Sequence, residues 1–236
     1  MRTRVLATAL VGLALSATAV QATVQANPVK YKFLSGSSVG ALGVSVGTYH
    51  AQLDGKRIDV WCVDFLNHIG AGNQFYVNKT SLGYNPDLSK TRFGSLYNNN
   101  PARYRQAAFL ASQFGQVTAN SSNWGSLHAA IWHLLTPTIP NVSGQMATKM
   151  NTWLSFAAAN YQKYYYNNVY VLTDVAVERC AANNPAAAPW TGCGKQEHIF
   201  IDGGLTVTPE PASMALLATG LVGLGGTVLV RRRRRG

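Results

Sequence analysis

An α+β fold, with antiparallel strands and a helical segment inserted between them, is predicted by three observations. Alternating strand patterns lie at both ends of the central region, helix-spaced apolar stretches lie between them, and Asp54-Gly55 supplies a tight turn in the first strand block. One C-terminal transmembrane helix is added by residues 212–230, nineteen positions without a charge. The chain therefore divides into a signal peptide at 1–26, an exported domain at 27–202, a short stalk at 203–208 and a C-terminal signal at 209–236.

The strands come first. Val29 to Leu34 alternates, and a Gly/Ser-rich connection follows. Thr48 to Leu53 and Arg57 to Val63 then flank Asp54-Gly55 as a hairpin, which places Cys62 near the end of its second strand. Asn100-Pro101 caps a helix in which Tyr104, Ala107, Ala108, Ala111 and Phe114 recur at helical spacing until Gly115. Asn120 to Asn123 cap a second helix striped by Leu127, Ile131 and Leu134 and followed by Pro137 and Pro140. A third, from Gln145 to about Tyr165, presents Met150, Trp153, Leu154, Ala157 and Tyr161. Strands return at Asn168 to Val175 and Glu197 to Ile201. No repeat of fixed period is visible.

The formal net charge is +11 over 236 residues, yet only 12% of residues are charged and 47% are hydrophobic, which excludes a disordered chain. Seven of the basic residues lie at the extremes, as Arg2, Arg4, Arg231, Arg232, Arg233, Arg234 and Arg235, so the middle is only about +5 and no nucleic-acid partner is expected.

Both ends read as addresses. Arg2 and Arg4 precede the apolar run Val5 to Val20 and small residues at Ala22 and Ala26, the order of a secretory signal peptide cut after one of those alanines by signal peptidase. At the other end, nineteen helical residues span about 28 Å, close to the hydrocarbon thickness of a bilayer. The five arginines stay cytoplasmic, which leaves Pro209-Glu210-Pro211 on the same side as the exported body. Pro209, Glu210, Pro211, the apolar span and Arg231 to Arg235 together resemble a PEP-CTERM sorting signal. That resemblance implies an exosortase, a membrane-embedded cysteine peptidase or transpeptidase, as processing partner. It also implies an exopolysaccharide-producing Gram-negative host and a destination in the outer envelope or extracellular matrix.

Export implies an oxidising compartment, and Cys180 and Cys193 bracket a Pro/Ala/Asn-rich loop that a disulfide would close. Cys62 is left over, either as a small buried hydrophobe or as a reactive thiol. The five histidines, His50, His68, His128, His133 and His198, lack metal-ligand spacing, and no HExxH, paired CxxC, P-loop or dinucleotide pattern occurs, so no metal or cofactor is expected. Tyr161, Tyr164, Tyr165, Tyr166 and Tyr170, with Asn98 to Asn100 and Asn167-Asn168, offer rings and amides suited to polysaccharide, although at least half of those rings are expected to close the third helix against the sheet.

Trp61-Cys62-Val63-Asp64, the helix Arg103 to Leu110, and Leu127-His128-Ala129-Ala130-Ile131-Trp132 resemble bacterial thioester domains, surface adhesins in which a cysteine bonds to a glutamine. The family likeness implies capture of a nucleophile by the strained acyl sulfur. This chain departs from the pattern by placing His128 at the glutamine position and Leu127 at the threonine position, so the standard bond is expected to be missing, with Gln106 or Gln113 as substitute carboxamides. His128 beside Cys62 would instead make a thiol–imidazole pair for a hydrolase or acyltransferase, with Asp64 or Asn123 as orienter. A packed core histidine beside Trp132 is the plainer expectation. The reading favoured is a non-enzymatic adhesive or binding protein of an exopolysaccharide or biofilm layer.

Overall fold

Six of the ten strands among the described residues close into an antiparallel barrel. The computed structural model describes residues 28–136, 138–139 and 142–208. In chain order the strands are β1 (Val29–Ser35), β2 (Gly40–Ala41), β3 (Val44–Ser45), β4 (Tyr49–Leu53), β5 (Lys56–Cys62), β6 (Gln74–Ser81), β7 (Tyr164–Tyr165), β8 (Val169–Asp174), β9 (His198–Ile201) and β10 (Thr206–Val207). The helices are α1 (Ala102–Ala111), α2 (Ser121–Leu135), α3 (Gly144–Asn160) and α4 (Ala176–Asn183). The barrel runs β1-β4-β5-β9-β8-β6 and back to β1, and α1 to α3 are inserted between β6 and β8. Closure leaves these strands no free edge.

Local chemistry explains the elements read from the sequence. In β1, Val29, Tyr31 and Phe33 point inward while Lys30 faces out, the period-two pattern of a half-buried strand. Asp54 and Gly55 both take positive φ, the requirement of a two-residue hairpin whose twist matches β4 and β5. The Asp54 carboxylate also accepts from the Lys30 amide at 3.0 Å, which ties the turn to β1. At α2 the Asn120 side chain accepts from the Asn123 amide at 2.8 Å and satisfies one of the free N–H groups of the first turn.

Several boundaries differ from the expectation. The third helix stops at Asn160, because the aromatic Tyr164-Tyr165 segment is drawn out to pair with Thr206-Val207. That pairing also means that residues 203–208, expected as a stalk, are fastened to the domain; the Asn168 amide donates to the carbonyls of Asp202 and Gly204, and the Thr208 amide to that of Lys163. Strand β6 and helix α4 were not read from the sequence, and β6 closes the barrel through β1 and β8. Among the described residues no helix is long and apolar enough to cross a membrane, and the segments read as signal peptide, transmembrane helix and arginine tail lie outside them.

Two packed regions result. One joins Tyr104, Phe109, Leu110, Leu127 and Ile131 of the helices to Val169, Val171 and Ile199 of the barrel wall. The other fills the barrel with Tyr31, Phe33, Tyr49, Val60, Cys62 and Val77, and Trp132 of α2 belongs to it. Helix α2 is thus the element that touches the end of β5.

Candidate functional site

Helix α2 and its C-cap residue Thr136 meet the end of β5 with three residues spaced four apart. The ring of His128 reaches the carbonyl of Cys62 at 2.8 Å, the indole of Trp132 donates to its sulfur at 3.4 Å, and the hydroxyl of Thr136 donates to the Val63 carbonyl at 3.3 Å. A spacing of four residues puts His128 and Trp132 on one helical face, and the C-cap Thr136 continues the contact along the strand end. His128 and Trp132 also stack, with ring centroids 4.3 Å apart.

The sequence-level pair of Cys62 and His128 is therefore brought together, but through the backbone. The Gly47 amide donates to His128 Nδ1 at 2.9 Å, so Nε2 carries the proton and donates to the Cys62 carbonyl. Both ring nitrogens are spent on peptide groups. Burial pushes the imidazole down to about 4, and the Cys62 carbonyl bond opposes this only in part. Burial, reinforced by the Asp64 charge, pushes the Cys62 thiol well above its ordinary value despite the Trp132 hydrogen bond. A neutral imidazole without a free nitrogen is not placed as the base for this thiol.

The proposed orienters are engaged elsewhere. Asp64 is fully buried; it accepts from the amides of Leu66 and Asn67 and the Asn67 side chain, and lies 2.9 Å from Arg92 Nε. The Asn123 carbonyl group accepts from Lys149, and its amide donates to Thr118. Gln113 donates to the Phe109 carbonyl and to Ser112 just beyond α1, and Gln106 sits on that helix.

The carboxamide that the fold does bring to Cys62 is Gln196. Its nitrogen donates to the Asp64 carbonyl at 3.0 Å, the same oxygen that accepts from the Cys62 thiol at 3.2 Å. The register explains this: Cys62 pairs with His198 and the Val63 amide bonds the Glu197 carbonyl, so Gln196, two residues before β9, stands beside the residues that follow Cys62. Gln196 and Trp132 also line an open cleft of about 320 Å³, together with Phe33, Tyr49, Phe65 and His68. Of these lining residues His68 is exposed and Phe65 half-buried, Phe33, Tyr49 and Trp132 are buried, and the Trp132 side of the cleft adjoins the Cys62 sulfur.

A buried charge cluster braces that side. Besides facing Asp64, the fully buried Arg92 guanidinium donates to the carbonyls of Pro189, Trp190, Cys193 and Lys195. Glu197, also fully buried, accepts from the Arg92 amide at 2.7 Å, the Tyr104 hydroxyl at 2.5 Å and the Thr173 hydroxyl. Cys180 and Cys193 are joined as a disulfide with Cα atoms 6.5 Å apart, closing the loop that Arg92 holds from inside. Sequence reading missed Arg92, Gln196 and Glu197. A buried Arg with two buried acids has no local signature, and only the start of a strand at Glu197 hinted that Gln196 stands at a sheet end.

The other histidines do not converge. His50 pairs with Asp59 across β4 and β5 at 2.8 Å, His133 is exposed, and His198 lies inside the barrel between Tyr31 and Phe33. Among the described residues no group of three His, Cys, Asp or Glu side chains gathers as a metal-binding set. Of the tyrosines read as a sugar-facing surface, Tyr166 is buried and bonds the Tyr161 carbonyl, Tyr164 packs on Phe109, and Tyr170 lies against Phe200 beneath Lys79. Only Tyr165 of the five is strongly exposed.

The class follows from the tail. Residues 207–235 match the family model described as the PEP-CTERM protein-sorting motif. The chain is thus an exosortase substrate: an exported protein, anchored transiently in the membrane and then processed. No curated protein and no solved structure matches it.

Proposed function

We propose that the processed protein is a non-enzymatic adhesive component of the outer envelope or extracellular matrix, working within an exopolysaccharide or biofilm layer through the cleft beside Cys62. The observation that carries this reading is the open cleft itself, where half-buried Phe65 and Gln196 and exposed His68 come together over a floor that includes the buried rings of Phe33, Tyr49 and Trp132. The accessible Phe65 ring covers the C–H surface of a sugar while the Gln196 amide and the His68 imidazole meet hydroxyls.

A second reading, covalent capture, is favoured by the shared Asp64 carbonyl, which holds the Cys62 thiol and the Gln196 amide side by side. In this reading the sulfur attacks the Gln196 carboxamide carbon, the C–N bond breaks, and the thiol proton leaves with the nitrogen as ammonia. A thioester remains, and no oxidant or cofactor is consumed. An amine or hydroxyl entering the cleft then attacks the same carbon, its proton passes to sulfur, and the ligand is left joined to Gln196. The carboxamide is Gln196 and not a residue of α2, which removes the objection raised by His128.

Intact mass and polysaccharide binding of the processed protein test both readings. Covalent capture requires a mass short by one ammonia, a methylamine adduct on exposure to that amine, and loss of both in Cys62→Ser and Gln196→Ala. Full mass with retained binding leaves non-covalent adhesion alone. Full mass with no binding, or binding unchanged in Phe65→Ala and His68→Ala, overturns the cleft as the functional site.

A further inference from the structure

We propose that the end of the domain from which the sorting tail emerges is a membrane-docking face, which seats the folded body on the lipid surface while the chain is anchored. Among the described residues six large apolar side chains are strongly exposed, and four of them, Tyr84, Phe156, Tyr165 and Val207, surround the exit of the chain.

Their placement follows from pairings already described. Val207 is in register with Tyr164, so the two side chains share one face of the β7–β10 ribbon. Tyr164 and Phe156 both pack on Phe109, at centroid separations of 5.3 Å, so Phe156 lies one ring away from the Tyr164 that pairs with Val207. Tyr165 occupies the opposite face of the ribbon and is 48% exposed. Tyr84, 93% exposed, follows Gly83, where an added Cβ would run into Asn167, two residues beyond Tyr165. Exposed Lys163, whose carbonyl accepts from the Thr208 amide, adds a cation to the rim.

The occupant is set by the length of chain that follows. Only Pro209, Glu210 and Pro211 separate Thr208 from the uncharged run 212–230, and three extended residues reach about 10 Å. Thr208 itself is held to the domain, so this face stays within about 10 Å of the hydrocarbon edge while residues 212–230 anchor the chain, close enough to meet the headgroup layer. Aromatic rings with polar tips and a lysine are the side chains that this layer favours. Docking also orients the domain: β9 runs from Gln196 and the cleft toward Ile201 and the exit, so the cleft is directed away from the membrane.

The test uses the full-length chain in vesicles of phosphatidylethanolamine and phosphatidylglycerol. In a Cys62→Ser background, a bimane label is placed by Tyr84→Cys, Phe156→Cys, Tyr165→Cys or, as the control on β6, Tyr76→Cys. Nitroxide-bearing lipids should quench the label at 84, 156 and 165 at least about threefold more than at 76, as expected for side chains in the interfacial layer. All four positions are exposed, so folding, checked by thermal melts, should persist. Equal quenching at all four overturns the proposal. Protection that appears only when exosortase is co-reconstituted overturns it in favour of a protein partner.

Discussion

The His128 ring donates to the Cys62 carbonyl and leaves the Cys62 sulfur to the Trp132 indole. Two residues that form a reactive pair on paper are therefore a structural clamp, and the strand end they fix adjoins the cleft. The Gly47 amide completes the clamp from the barrel side.

This clamp makes stability depend on pH. His128 sits at about 4 in the folded protein against ~6.5 when unfolded, so the unfolded chain binds the proton first. The stability contributed by neutral His128 is complete above pH ~6.5 and is lost as pH falls through that value toward 4, a change of roughly 3 kcal/mol. His198, held at about 3 by burial, adds in the same direction. Asp64 and Glu197, raised by burial, act oppositely, so the contrast between variants is the diagnostic. His128→Gln, which keeps a donor and an acceptor, should flatten the profile of urea midpoints between pH 7 and pH 4.5 relative to wild type.

Arg92 should be the costliest single charge to remove. Arg92→Met leaves Asp64 and four loop carbonyls without a cationic partner, and breaking a buried pair from one side costs ~3–5 kcal/mol. Thermal denaturation gives the total, and hydrogen exchange should show the loss concentrated in residues 189–197. A uniform rise in exchange across the domain would contradict this role.

Gly47 has φ of +112°, and a Cβ there would run into the Trp124 ring. Gly47→Ala therefore combines backbone strain with displacement of a packed indole, at about 2 kcal/mol or more. The same change disturbs the donation to His128 Nδ1, so the ring's NMR tautomer signature should shift.

Reducing the Cys180–Cys193 disulfide, or replacing both residues by Ser, should cost about 3 kcal/mol by freeing the loop in the unfolded chain. Arg92 holds the same loop from inside, so the Arg92→Met and disulfide effects should be non-additive in a double-mutant cycle.

Turn and cap chemistry was legible because it is local. Asp54-Gly55 carries its own requirement for positive φ, and Asn120 carries its own hydrogen bond to the first turn of α2. Strand β6 was not legible, because burial along Gln74–Ser81 does not alternate cleanly and no periodicity marks it. The helix expected to run to Tyr165 was cut short by a partner strand forty residues later, which overrode the local preference.

The sequence by itself determined the route of export and processing. Sorting signals are read as linear segments, so an apolar run, Pro-Glu-Pro and five arginines act through order and composition alone. Only the tertiary structure decided which groups stand beside Cys62. That choice depends on the register of β5 against β9 and on one face of α2, contacts between residues more than sixty positions apart. Such contacts are set by closing the barrel and burying its interior, a property of the whole packed chain that no short stretch encodes.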